Sequence, residues 1–263
     1  MKAFLFLLIF SSNLWAQDPN VQLKSIDTKI YTLKNKGISD LVFEVTSESL
    51  TKQLNEEMIY GHLRDVRFKV YWTANPERLA IEVQGMPEGF KEIKEELKAR
   101  IQTQLLFIFP PPLSQKFTGY KFLAGKSPKE IIAQDTTGIA TIPKFVLNFD
   151  KDKLESIVAA KFVGTLKTIY NYERESYSDG RWVLKNERTE SSESGAQISL
   201  SKDLSYGAVN GIYVVQKLKV TSEQRMTGDS NHLKTEEVVE FQNYKINSGE
   251  ALKYFLGDST PKK

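Results

Sequence analysis

Along Val66-Arg67-Phe68-Lys69-Val70-Tyr71-Trp72-Thr73, apolar side chains alternate with polar or amphipathic ones. A turn at Ala74-Asn75-Pro76-Glu77 follows, and the alternation resumes at Leu79, Ile81 and Val83. Alternation with a period of two marks a half-buried strand, so this stretch predicts a hairpin. Gly85-Met86-Pro87 ends it. Phe90, Ile93, Leu97, Ile101, Leu105 and Phe109 then recur at spacings of three or four, which lays one apolar stripe along a helix over 88–109. A sheet face and a helix face are thus offered to each other. The last part of that helix, Leu105-Leu106-Phe107-Ile108-Phe109, is apolar on every side. Such an end requires burial all round, or contact with something greasy.

Working outward, the chain opens with Met1-Lys2, an apolar run from Ala3 to Phe10, then Ser11-Ser12-Asn13-Leu14-Trp15-Ala16. One positive residue, an apolar run well short of the roughly 20 residues that span a bilayer, and a small residue at a cleavage position read as a secretory signal peptide over 1–16. No later stretch is long enough to cross a membrane. Cleavage leaves roughly 245 residues, read as a single domain over 17–263. The chain has no cysteine, which excludes disulfides, thiolate metal sites, cysteine nucleophiles and the lipid-bearing cysteine of a bacterial lipoprotein. An exported chain of this kind must stabilise itself by its core. With 36 basic against 33 acidic residues, it lacks the clustered basic excess of a nucleic-acid binder.

Before the hairpin, Val21, Leu23, Ile26, Ile30 and Leu33 predict a first helix over 21–34 with Gly37 as its stop. Leu41, Phe43 and Val45 predict a first strand within 38–46, and 47–60 reads as a second strand or an irregular connection. After the helix, Pro110-Pro111-Pro112 forbids its continuation, since proline has no N–H to donate and does not fit the helix interior. Glu96 and Arg100 stand one turn apart on that helix as a surface pair. Beyond it, strands are predicted at 116–123, 131–133, 144–149, 156–172, 181–190, 197–201, 212–221 and 236–246. Ser178-Asp179-Gly180 makes a tight turn between two of them, and Gly228-Asp229-Ser230-Asn231 a loop. The architecture expected is α+β: a large curled antiparallel sheet, an incomplete β-barrel, with the helices at 21–34 and 88–109 covering its concave face.

With its signal peptide, N-terminal helix and long meander, the chain resembles the LolA-like periplasmic lipoprotein carriers, the family of outer-membrane lipoprotein-sorting proteins. The hairpin Phe68-Lys69-Val70-Tyr71-Trp72 with Arg78-Leu79-Ala80-Ile81-Glu82-Val83 is similar to the family's. So is the ending, a strand over 238–246, then Asn247-Ser248-Gly249 and a short helix over 251–256. The resemblance implies a soluble periplasmic carrier or chaperone whose apolar cavity takes the acyl chains of a lipoprotein or lipid toward the outer membrane. It also implies inner- and outer-membrane partner proteins. Arg64, Arg67 and Arg78 all compete for the family's functional arginine, and none is singled out by its neighbours.

No short motif carries chemistry. The two histidines, His62 and His232, have no second ligand at metal spacing. Glu56-Glu57, Glu95-Glu96 and Glu236-Glu237 are adjacent in sequence and so point apart. There is no glycine-rich phosphate loop and no Gly-x-Ser-x-Gly elbow. No enzyme activity and no cofactor is expected. An apolar groove needs shape rather than a signature, since burying hydrocarbon contributes roughly 0.8 kcal/mol per CH₂. Its expected walls are Phe68, Val70, Trp72, Ile93, Leu97, Ile101, Leu105 and Phe162. The alternative is a non-enzymatic envelope structural or protein-interaction module in which the same residues fill a core.

Overall fold

A computed structural model describes residues 18–57, 63, 65–161, 164–193, 195–226 and 232–257. The expected signal peptide, His62, Arg64, Phe162 and the 228–231 loop lie outside the described residues. In chain order the elements are α1 (Pro19–Lys29), β1 (Asp40–Thr46), α2 (Glu48–Glu57), β2 (Arg67–Ala74), β3 (Glu77–Gln84), α3 (Lys91–Leu105), α4 (Leu113–Lys116), β4 (Tyr120–Ala124), β5 (Glu130–Asp135), β6 (Lys144–Asp150), β7 (Lys153–Ala160), β8 (Thr165–Arg174), β9 (Trp182–Glu193), β10 (Ala196–Val209), β11 (Ile212–Met226), β12 (His232–Ile246) and α5 (Glu250–Leu256). No helix among the described residues is long and apolar enough to cross a membrane.

The strands form one antiparallel sheet in the order β3-β2-β1-β12-β11-β10-β9-β8-β7-β6-β5-β4. It curls without closing, so β3 and β4 remain as edges and the fold is the expected α+β incomplete barrel. Cross-strand pairs trace one continuous face through it. Phe68 opposes Val45, which opposes Phe241. Val239 opposes Leu218, which opposes Leu204. Lys202 opposes Glu187, which opposes Tyr170, and Ile157 opposes Leu147, which opposes Ile131. Residues two apart on a strand share a face, so all of these belong to the same side.

Two separate cores lie on that side. In the first, α3 buries Leu97, Ile101 and Leu105 against β1, β2 and β10 to β12. Each such side chain contributes roughly 1.5–3 kcal/mol when fully removed from water. In the second, Leu23 and Ile26 of α1, with Leu113 and Phe117, pack on β5, β6 and Leu154. A small third cluster of Val42, Tyr71 and Ala251 seats α5 on the opposite side of the sheet. There Tyr254 stacks on Tyr71 at 4.0 Å.

The sheet's one crossover places β1 between β2 and β12. Asp40, at the start of β1 and 1% exposed, makes this join specific. Its carboxylate accepts from the backbone N–H groups of Gly249 at 2.6 Å, Ala251 at 2.9 Å and Leu252 at 3.2 Å. These are donors that the first turn of α5 cannot satisfy within the helix. Asn247 completes the lock, its Oδ1 accepting from the Ser39 N–H at 2.9 Å and its own N–H donating to the Asp40 carbonyl at 2.7 Å. The strand-Asn-Ser-Gly-helix ending is thus a fastening onto the first strand.

Several expectations are corrected. Residues 48–57 are helical: Leu50 and Leu54, one turn apart, are 2% and 6% exposed, and Ser47 Oγ accepts the Leu50 N–H at 3.3 Å as a cap. The single strand at 156–172 is a hairpin of β7 and β8, and Gly164, at φ 80°, supplies a backbone conformation that other residues adopt rarely. The first helix stops at Lys29, because the Tyr31 N–H donates to the Trp182 carbonyl at 2.9 Å and draws the chain out extended. The strand at 116–123 begins only at Tyr120, since Leu113–Lys116 coils into α4. The long helix is shorter than predicted, and its all-apolar end unwinds after Leu105, so that Leu106 is 53% exposed while Ile108 is 3% exposed. Arg100 does not pair with Glu96. Its Nη2 lies 3.1 Å from both oxygens of Glu237, which faces inward from β12.

Replacing Asp40 with Ala leaves several buried donors without an acceptor and is expected to cost about 3 kcal/mol in urea unfolding. Lys245 and Lys69 hold the Glu250 carboxyl below its ordinary 4.5. The docking stability that this provides is complete above that pH and is lost as pH falls through the lowered value. Hydrogen exchange of α5 amides, compared with those of β11, should accelerate in that acid window, and Glu250→Gln should shrink that pH dependence.

Candidate functional site

Where the two cores meet, the inner side of the sheet is incompletely filled. A recess of about 280 Å³ lies there. One wall is the end of α1 and the extended link after it, with Ile26, Ile30 and Leu33. The other is the 108–113 segment, with Ile108, Phe109, the three prolines and Leu113, while Leu154 and Tyr172 close it from the sheet. The local sequence explains both walls. Consecutive prolines lack N–H groups and hold an extended course, so this wall presents rings without a matching set of backbone donors. The opposite wall is pinned at Tyr31, whose hydroxyl donates to the Tyr213 carbonyl at 2.7 Å. Both oxygens of Asp27 accept the Leu113 N–H, at 3.0 and 3.2 Å, and tie α1 to the start of α4.

The recess carries few polar groups, and most of them are engaged. Lys34 pairs with Glu77 at 2.8 Å, the Asn35 side-chain amide donates to the Ile30 carbonyl at 2.9 Å, and the Thr28 hydroxyl donates to the Ser25 carbonyl at 2.7 Å. Lys116 differs. Its Nζ has no ion-pair or hydrogen-bond partner among the described residues and stands 5.8 Å from the centre of the Tyr170 ring. The side chain keeps contact with water inside a concavity, where the surrounding protein lowers its pKa by desolvation while Glu187 and Asp27 oppose that shift. Burial raises the pKa of Asp27 in turn, against the Leu113 hydrogen bond and the charge of Lys116. Tyr170 and Tyr172 are raised by burial first and by Glu187 second, so both stay protonated donors. Beside them Lys202 pairs with Glu187 at 3.0 Å and lies 4.9 Å from the Phe107 ring centre. Among the described residues no three His, Asp or Glu side chains are grouped to hold a metal.

The residues expected to line a cavity gather elsewhere. Phe68, Val70, Trp72, Leu97, Ile101 and Leu105 are all buried in the core beneath α3, and Ile93 packs half-buried at its margin. None of them lines the recess. Trp72 is separated from it by Phe109, whose ring stacks on the indole at 4.6 Å and 15°. Phe109 belongs to the apolar stripe and does reach the recess. Ile26, Ile30 and Leu33 of the first predicted stripe line it too, and most other wall residues carry no period, the triple proline reading as a helix stop alone. Among the paired carboxylates, Glu236 and Glu237 do point apart, toward Lys219 outside and Arg100 inside.

Phe109→Ala removes the ring between Trp72 and the recess. It should cost about 3 kcal/mol and shift tryptophan emission to the red, whereas unchanged emission would mean that the indole is shielded by other groups. Comparison with protein-family models, with curated proteins and with solved structures finds no match to this chain.

Proposed function

We propose that this chain is an exported, periplasmic binding protein whose recess holds the acyl chain of a lipid or lipoprotein in transit toward the outer membrane. The observation that carries the reading is the apolar-walled recess between two close-packed cores. Its volume of about 280 Å³ is at the lower end of small-molecule pockets, roughly 300–1,000 Å³. That size suits one chain better than several. A chain laid against the proline wall and Leu113 gains the usual free energy of apolar burial and asks for no charged partner. The curled sheet with helices on its inner side supports the likeness to lipoprotein carriers at the level of architecture.

A second reading, an envelope interaction module without a ligand, is favoured by one observation. The space between α3 and the sheet, where a carrier of the expected design would be hollow, is filled by Phe43, Phe68, Trp72 and Phe241, each at most 2% exposed. Detergent-free purification from the periplasm of a diderm host, followed by mass spectrometry of an organic extract, separates the two. The carrier reading expects a stoichiometric lipid that Ile30→Trp, which fills the recess, reduces at least about tenfold. A ligand-free extract, together with no displacement of a lipophilic dye by fatty acids or lysolipids, sinks it in favour of the interaction module.

A further inference from the structure

Resting on the recess as the binding site, we propose that its occupant is a single-chain amphiphile with an oxyanionic head, and that Lys116 binds that head with the Tyr172 hydroxyl as a second donor. Lys34 is spoken for by Glu77, and Lys202 beside the recess by Glu187. Asp27, the carboxylate of the lining, has both oxygens on the Leu113 amide. This leaves the Lys116 ammonium with no hydrogen-bond or ion-pair partner among the described residues, in a recess it shares with Ile30, Phe109, the three prolines and Leu113. Tyr172 lines the same recess, and its hydroxyl likewise has no partner among the described residues. Tyr170, whose face the ammonium overlooks, stacks against Tyr172 at 6.3 Å.

An unpaired ammonium and a phenol in a recess whose other wall is prolines, Ile30 and Phe109 match a carboxylate or phosphate monoester on an alkyl chain. A charge-assisted hydrogen bond to the oxyanion is the strong kind. Neutral ester and amide heads, such as those on an acylated lipoprotein, offer no charge to Lys116. The assignment therefore narrows the cargo class toward free fatty acids or lysophosphatidate-like lipids.

The test is calorimetric titration of the full mature protein with dodecanoate, dodecyl phosphate and dodecan-1-ol, each below its aggregation concentration. Wild type should bind at least one of the anions about tenfold or more tightly than the alcohol. Lys116→Met should erase that preference while keeping alcohol affinity, and Lys116→Arg should restore it. Preference for one anion over the other identifies the source of the head. Equal binding of all three ligands by wild type, or uniform weakening by Lys116→Met, overturns the head assignment and leaves the recess as an apolar site. Failure of every chain to bind overturns both.

Discussion

The join between β1 and β12 holds the molecule together as one sheet. Every other strand pairs with its neighbour in sequence, which the local chain can arrange by itself. Only β1 brings residues some two hundred positions apart into register, Val45 opposite Phe241 and Leu41 opposite Ile246. Closing so long a loop costs conformational entropy before any contact offsets it. The buried Asp40 carboxylate answers with several charge-assisted hydrogen bonds in one place, and these fix both the register and the seat of α5. Without that fastening, the hairpin under α3 and the long meander would be two sheets, and no boundary between two cores would exist.

The recess follows from that boundary. Each core is sealed by a helix with a regular stripe, but the segments that pass from one to the other, 30–37 and 106–112, are irregular, with one 3-10 turn at Lys34–Lys36 and tight turns over 106–109 before the prolines. Irregular chain carries no continuous apolar stripe and does not fill the space behind it as a striped helix does. The proline run makes one of these crossings apolar as well, so apolar side chains make up most of the walls of the unfilled volume.

Period-two and period-3.6 patterns made most of the architecture legible. The hairpin of β2 and β3, the stripe of α3, the turn at Ser178-Asp179-Gly180 and the meander are all strong repeats, and each is in place. Elements that depend on few residues were not legible. In α2 only Leu50 and Leu54 carry the period, among polar neighbours. The break between β7 and β8 hides in a stretch whose parity continues across it. Asp40 looks like any other aspartate before a strand, because its partners lie at the far end of the chain. The apolar side chains that pattern analysis ranks highest are the ones that pack most completely, so a search for cavity walls by stripe strength finds the core under α3. The recess is instead built from the ends of two stripes, Ile30 and Phe109, and from the prolines and Lys116, which no period marks.

A molecule with two cores and a thin boundary does not resist fluctuation evenly. Among the described residues, breaking the first core exposes 22 buried side chains and breaking the second nine, whereas the 30–35 link and the 108–113 segment bring only Leu33, Ile108 and Leu113 to those clusters as buried members. Sub-global openings are drawn from regions with few buried contacts. The boundary therefore widens more readily than either core comes apart, and both halves of the sheet keep their packing as it does.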